Sequence, residues 1–309
     1  MIEVKNLSKR YGDKLAVDGL DFVVRPGIVT GFLGPNGAGK STTMRMIAGL
    51  DEPTGGRVLV NGGDYRSASA PMAELGILLE ARSVHTGRSA RNHLLALAQT
   101  NGVSRRRVDE VIGLVGLEDV ARKRVGGFSL GMGQRLGIAS ALLGDPRVVV
   151  LDEPVNGLDP EGVLWIRNLL KGLAAEGRTV FVSSHLMSEM ALTATRLVVV
   201  GRGRLIADTT VEEFTARAGG GAVTVRTPHA AELRELVLGP DVTVTSEEPG
   251  VLKVQGLTAE QIGTAAWRAG LPVYELTARQ ASLEEAFMQL TEDSVDYRSR
   301  DTTKEVATR

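Results

Sequence analysis

Eight residues, Gly34-Pro-Asn-Gly-Ala-Gly39-Lys40-Ser41, carry the pattern G-x-x-x-x-G-K-[ST], whose chemistry is a grip on a phosphate chain. Glycine-rich backbone lets successive N–H groups turn towards one anion, and a helix opening behind them adds its positive end. Gly34, Pro35, Asn36, Gly37, Ala38 and Gly39 supply that backbone, and Thr42 continues it. Lys40 reaches the terminal phosphates and Ser41 offers a hydroxyl to Mg²⁺. A second constellation ends the apolar run Val148–Leu151. Asp152 is a carboxylate for nucleotide-bound Mg²⁺, and Glu153 is placed to orient and polarise an attacking water. An Asp-Glu pair after a strand also reads as a helix cap; beside Lys40 and Ser41 it reads as the second half of a nucleotide-hydrolysing site.

Rigid elements must deliver these groups. From Met1 to about Phe214, short β-branched runs alternate with longer helical patterns, the rhythm of an α/β domain. Ile28–Leu33, Val148–Leu151, Thr179–Ser183 and Leu197–Val200 read as buried strands, and Ile2–Val4 and Arg57–Val60 as short antiparallel strands at one edge. Between about Arg91 and Leu143 the pattern is helical, broken at Gly113, Gly116 and Gly126-Gly127. Gly219-Gly220-Gly221 punctuates the chain. Beyond it the order is strand (Val223–Arg226), helix (Ala230–Leu238), strand (Val242–Thr245), strand (Val251–Val254), helix (Ala259–Ala269) and strand (Val273–Leu276). That is the split βαβ order of a small α+β, ferredoxin-like unit. Capping boxes at Thr258 with Gln261 and Ser282 with Glu285 support its helices. After about Thr291 the chain turns polar and is expected to be a flexible tail.

The 309 residues include no cysteine and four histidines, which excludes disulfides, thiol catalysis and thiolate metal sites. Lys and Arg total 36 against 37 Asp and Glu, so no basic footprint for nucleic acid exists. No apolar run is long enough to span a bilayer, and Met1-Ile2-Glu3-Val4-Lys5 lacks the apolar core of a signal peptide. A cytoplasmic chain is the expectation.

The segment Phe128-Ser129-Leu-Gly131-Met-Gly-Gln134-Arg135, ahead of Asp152, is similar to the ABC signature, which other P-loop NTPases lack. With the phosphate loop and Asp152-Glu153, it makes residues 2–215 resemble the ATP-binding subunit of an ABC transporter. The resemblance implies a RecA-like core with antiparallel β and α-helical subdomains: an ATPase domain over 1–216, its helical part at about 81–144, an accessory domain over 222–290 and a tail over 291–309. It implies that Ser129 and Gly131 bind the γ-phosphate of ATP held by the opposite subunit. Asn156-Gly-Leu158-Asp159 resembles the loop that crosses the dimer interface, and His185 the switch histidine on the γ-phosphate. Tyr11 stands where an aromatic stacks on adenine; packing is its bland alternative. Leu130 replaces a usual glycine and Met132 a usual glutamine.

Glu80, in Gly76-Ile-Leu-Leu-Glu80, stands where the family has a glutamine that touches Mg²⁺ and the attacking water and senses the membrane subunit. A glutamate there accepts but cannot donate, and it is associated with exporters of peptide antibiotics. Its alternative reading is a solvated side chain after a strand. Ser282-Leu-Glu-Glu-Ala-Phe287 resembles the end of antibiotic-export ATPases, where the accessory domain either supports the dimer or regulates. The resemblance thus implies ATP hydrolysis with Mg²⁺, driving export of a drug, antibiotic or peptide. The partners it implies are an integral membrane permease and a second ATPase subunit, in a homodimer peripheral to the cytoplasmic face. Soluble ABC proteins of translation or DNA repair carry two cassettes or a coiled-coil insertion, absent here. A nucleotide-gated regulator in a resistance system is the alternative.

Overall fold

The computed structural model describes residues 1–80, 84–217, 222–279 and 282–291. Its contacts give two units, one of Met1–Thr209 with Thr291 and the other of Thr210–Leu290. Residues 81–83 at the start of the expected helical part, the Gly219–Gly221 punctuation and the polar tail after Thr291 lie outside the described residues.

The first unit opens with β1 (Ile2–Tyr11) and β2 (Lys14–Val24), an antiparallel hairpin in which Tyr11 faces Lys14. Then follow β3 (Val29–Leu33), α1 (Lys40–Ile47), β4 (Gly55–Val60), α2 (Pro71–Glu74) and β5 (Leu75–Leu78). The first strand is longer than expected. Only Ile2, Val4 and Leu7 are buried along it, so the apolar signal stops early. Pairing with both β2 and β4, across register shifts and with Asn6 at φ 46°, carries it on to Tyr11.

Three helices come next: α3 (Ala90–Thr100), α4 (Arg105–Leu114) and α5 (Leu130–Leu142). Ser89, Ser104 and Ser129 cap their N-termini, each hydroxyl accepting from the N–H three residues on. Helix α4 runs through Gly113 instead of breaking there; the left-handed Gly116, at φ 66°, follows its end. The unit continues with β6 (Val148–Leu151), α6 (Pro160–Ala175), β7 (Thr179–Ser183), α7 (Met187–Thr193), β8 (Arg196–Gly201) and β9 (Arg204–Thr210).

Six strands form one sheet in the order β5-β6-β7-β3-β8-β9, with β5, β6, β7, β3 and β8 parallel. Every residue of β3, β6 and β7 is buried, as continuous apolar runs covered on both faces must be. The antiparallel sheet β2-β1-β4 joins it through Phe22, Phe32 and Phe181, whose ring centroids lie 4.9–5.9 Å apart.

The second unit holds α8 (Val211–Arg217), β10 (Ala222–Arg226), α9 (Ala230–Val237), β11 (Thr243–Glu248), β12 (Val251–Gln255), α10 (Ala259–Arg268), β13 (Glu275–Arg279) and α11 (Leu283–Thr291). Its antiparallel sheet runs β11-β12-β10-β13, the split βαβ arrangement. Val223, Val225, Leu252 and Val254 meet Leu233 and Val237 of α9 and Ile262 and Ala266 of α10 in a separate core. Thr258 and Gln261 cap α10 reciprocally, and Ser282 and Glu285 do the same for α11. The last strand begins two residues later than expected, after Val273-Tyr274.

Candidate functional site

Between β3 and α1 the chain makes one tight loop, Gly34–Gly39. Gly39 sits at φ 98°, where a Cβ would lie 2.6 Å from the Ala16 carbonyl oxygen, so only glycine fits. No side chain caps α1, which leaves the N–H groups of its first turn facing the loop's concavity. Lys40 begins the helix and folds back, its Nζ donating to the Gly34 carbonyl at 2.5 Å and the Pro35 carbonyl at 3.2 Å. Burial pushes the Lys40 ammonium below its ordinary pKa, and Glu153 and Asp152 oppose that shift by attraction.

A cavity of about 390 Å³ lies against this loop. Tyr11, Pro35, Asn36, Gly37, Ala38, Gly39, Lys40, Ser41, Thr42, Asp152 and Glu153 line it, with Lys14 and Ala16 from the β1–β2 hairpin. Residues far apart in sequence converge because β3 and β6 both pair with β7, so the ends of neighbouring parallel strands open on one side. Ser41 Oγ donates to Asp152 Oδ2 at 3.0 Å. A hydroxyl and a carboxylate oxygen together beside a phosphate cradle are hard donors of the kind Mg²⁺ takes, a few from protein and the rest from phosphate and water. Among the described residues no group of three or more His, Asp or Glu could hold a metal ion by itself.

Glu153 has φ 50°, an uncommon conformation for a residue with a side chain. Its N–H donates to Ser183 Oγ at 2.9 Å, and its carbonyl accepts from Gln134 Nε2 at 3.3 Å. Its carboxylate meets His185 Nδ1 at 2.6 Å and the His185 N–H at 3.3 Å. Ser183 Oγ also donates to Asp152 Oδ1. Ser183 is thus the hinge pin of the acidic pair, and it carries no motif signal of its own; only its place at the end of β7, beside β6, could have pointed to it.

Tyr11 also lines the cavity; its hydroxyl donates to Asp51 Oδ2 at 2.7 Å, and Arg45 holds the same carboxylate at 2.9 and 3.0 Å. The Arg45 guanidinium and then the Tyr11 hydroxyl hold Asp51 down to about 2, and the Tyr11 phenol is pushed up by its bond to Asp51.

The other expected residues fall elsewhere. Gly34 contributes its carbonyl to Lys40 but does not line the cavity, and neither does Glu80, two residues beyond β5. Ser129 caps α5 through the Met132 N–H at 3.2 Å, and Asp159 caps α6 through the Gly162 N–H at 2.9 Å. These two helix starts abut: a Cβ on Gly131 would lie 2.9 Å from the Gly157 carbonyl oxygen, and one on Gly157 would collide with Leu130. Neither Ser129, Gly131 nor Asp159 reaches the chain's own cavity.

A parallel sheet with a glycine-rich loop at a helix start, a lysine, a serine paired to an aspartate and a glutamate beside a histidine define a P-loop ATPase. The ABC transporter profile matches residues 17–156, and a profile described as a domain of unknown function (DUF8746) matches residues 221–284. An uncharacterized ABC transporter ATP-binding protein, YhcH of Bacillus subtilis, is 37% identical over 94% of this chain and 96% of its own. The bacitracin transport ATP-binding protein BcrA of Bacillus licheniformis is 33% identical over 94% and 97%. The daunorubicin resistance ATP-binding protein DrrA3 of Streptomyces coeruleorubidus is 35% identical over 94% and 96%. Among solved structures, the cassette MJ0796, a dimer in a post-hydrolysis state bound to ADP and Pi, matches with TM-score 0.62 and 25% identity over 68% of this chain and 98% of that one. The chain belongs to the ATP-binding subunits of ABC transporters, and it is an ATPase.

Proposed function

We propose that this subunit hydrolyses Mg²⁺-ATP to drive export of a drug, antibiotic or peptide through a separate membrane permease. The names of the bacitracin and daunorubicin relatives support that substrate class, and set the regulator alternative aside. Among the described residues no helix is long and apolar enough to cross a membrane, which is in keeping with a peripheral subunit on the cytoplasmic face. The observation that carries the proposal is the convergence of Lys40, Ser41, Asp152 and Glu153 on one cavity.

In this reading the loop amides and Lys40 bind the phosphates, and Ser41 and Asp152 hold Mg²⁺. The cation, when bound, neutralises charge on the β- and γ-phosphates. Glu153 accepts a hydrogen bond from the attacking water and orients it. His185, now against the Glu153 carboxylate, both aligns that carboxylate and stands ready to donate to the γ-phosphate. Tyr11 stacks on the adenine. Ser129 and Gly131 stand outside the chain's own cavity, which supports their acting on ATP held by a second subunit, with Asp159 at the junction. One cradle and one signature per chain then require a head-to-tail pair, most simply a homodimer. Glu80 takes the place of the family's glutamine beside Mg²⁺ and the attacking water, and its loop passes the motion to the permease.

Steady-state hydrolysis by the purified chain across a wide protein concentration range tests this. A rate that rises more than linearly with protein and disappears in Glu153→Gln is expected. Unchanged hydrolysis in Glu153→Gln would overturn the role of that carboxylate.

A further inference from the structure

Tyr11 stands at the tip of a hairpin, next to Gly12 at φ 55°, with 46% of its surface exposed. A ring so placed is free to sweep unless something holds its far end. Asp51 does so. Its Oδ2 accepts from the Tyr11 hydroxyl and from Arg45 Nε, and its Oδ1 accepts from Arg45 Nη2, so the phenol meets a carboxylate already locked by a two-point ionic fork. The chain secures this fork locally: after α1 ends, the Leu50 N–H returns to the Arg45 carbonyl at 2.9 Å, which brings Asp51 back over the helix.

We propose that Asp51, gripped by Arg45, is a positioning residue that sets the Tyr11 ring as the platform for the nucleotide base. The proposal rests on the reading that Tyr11 stacks on that base. Helix α1 then acts as a ruler. Lys40 at its start faces the phosphates, and Arg45, five residues on and about 7.5 Å along the axis, fixes the ring through Asp51. The neighbouring Glu52 adds the second constraint. Its carbonyl accepts from Lys9 Nζ at 2.6 Å, which holds that ammonium 4.9 Å from the Tyr11 centroid. Tyr11 lines the cavity and Lys9 does not, so the ring face away from Lys9 is taken as the one that meets the purine.

Equilibrium titration of the full chain with Mg²⁺-ATP and with inorganic tripolyphosphate, which has the phosphates but no base, separates ring positioning from phosphate binding. Asp51→Ala and Tyr11→Phe should each weaken ATP about three- to tenfold, the worth of one net hydrogen bond. The double variant should be no weaker than the worse single, and tripolyphosphate affinity should be unchanged throughout. Tyr11→Ala should weaken ATP further. If Tyr11→Ala weakens ATP while Asp51→Ala stays within twofold of the parent, the platform stands and the role of Asp51 falls. If Asp51→Ala weakens tripolyphosphate and ATP equally, it supports α1 and not the ring, and the proposal is overturned. If Tyr11→Ala leaves ATP affinity unchanged, the stacking reading itself fails.

Discussion

Glu153 is held at φ 50° by partners from two different elements, Ser183 on its N–H and Gln134 on its carbonyl. A left-handed residue with a side chain costs of order 1 kcal/mol or more and persists only where its surroundings over-determine it. Here the gain is aim: the carboxylate is turned onto the cavity and onto His185. Ser183 is the residue on which both acids depend, because its single oxygen serves the Glu153 N–H and the Asp152 carboxylate. Ser183→Ala should lower kcat about 10- to 100-fold, in the range expected when a partner that orients a ligating or catalytic group is lost. Affinity for ATP without Mg²⁺ should move by less than threefold, since the phosphate loop is untouched. Single-turnover hydrolysis against ATP titration checks this, and equal losses in both would mean that the serine supports the loop as well.

Among the elements, α5 contributes more than its capped start. Its Ser140 hydroxyl lies 3.3 Å from His93 Nε2 of α3, so the helical part is stitched by a half-buried histidine. Burial first, and Arg88 second, lower the pKa of His93 from the ordinary 6.5. Well above pH 6.5 both folded and unfolded chains keep this ring neutral, and the shift has no effect on stability. Below it the unfolded chain takes up a proton that the folded chain resists, so stability falls as the pH drops below about 6.5. Thermal melting across that range should show a steeper loss for the parent than for His93→Gln; parallel curves would show that the helix pair is indifferent to this proton. The abutting starts of α5 and α6 are a second matter of elements. Leu130 packs where only a glycine, Gly157, can face it, so the substituted signature position is accommodated by the loop before α6 within the same chain.

At the scale of the molecule, the cavity contains a complete phosphate cradle and an acidic pair but none of Ser129, Gly131 or Asp159. Under the proposed function, a second copy or a related subunit brings these groups onto the nucleotide. Light scattering of Glu153→Gln with saturating Mg²⁺-ATP should give about twice the mass measured with ADP. A single-chain mass in ATP would eliminate the homodimer and leave a different ATPase partner. The second unit adds its own sheet and core, with the β11-β12-β10-β13 order and apolar residues on the helix-covered side.

The chemistry of this protein was legible in the chain itself, because a phosphate loop is local: Gly34 to Thr42 specify turn, helix start, cation and hydroxyl within nine consecutive positions. Asp152 and Glu153 were legible for the same reason, as the polar end of an apolar strand whose length and pattern are local properties. The buried strands followed from continuous apolar runs. Polar stretches hid the rest, since β1 beyond Leu7 exists through pairing with two neighbours and not through its own pattern. Ser183 and Asp51 could be found only in three dimensions. One acts because the sheet order sets β7 against β6, the other because the chain after α1 folds back on Arg45. Local sequence can specify a loop and a periodicity, but a hydrogen bond between residues 31 or 40 positions apart exists only once packing has chosen which strands are neighbours.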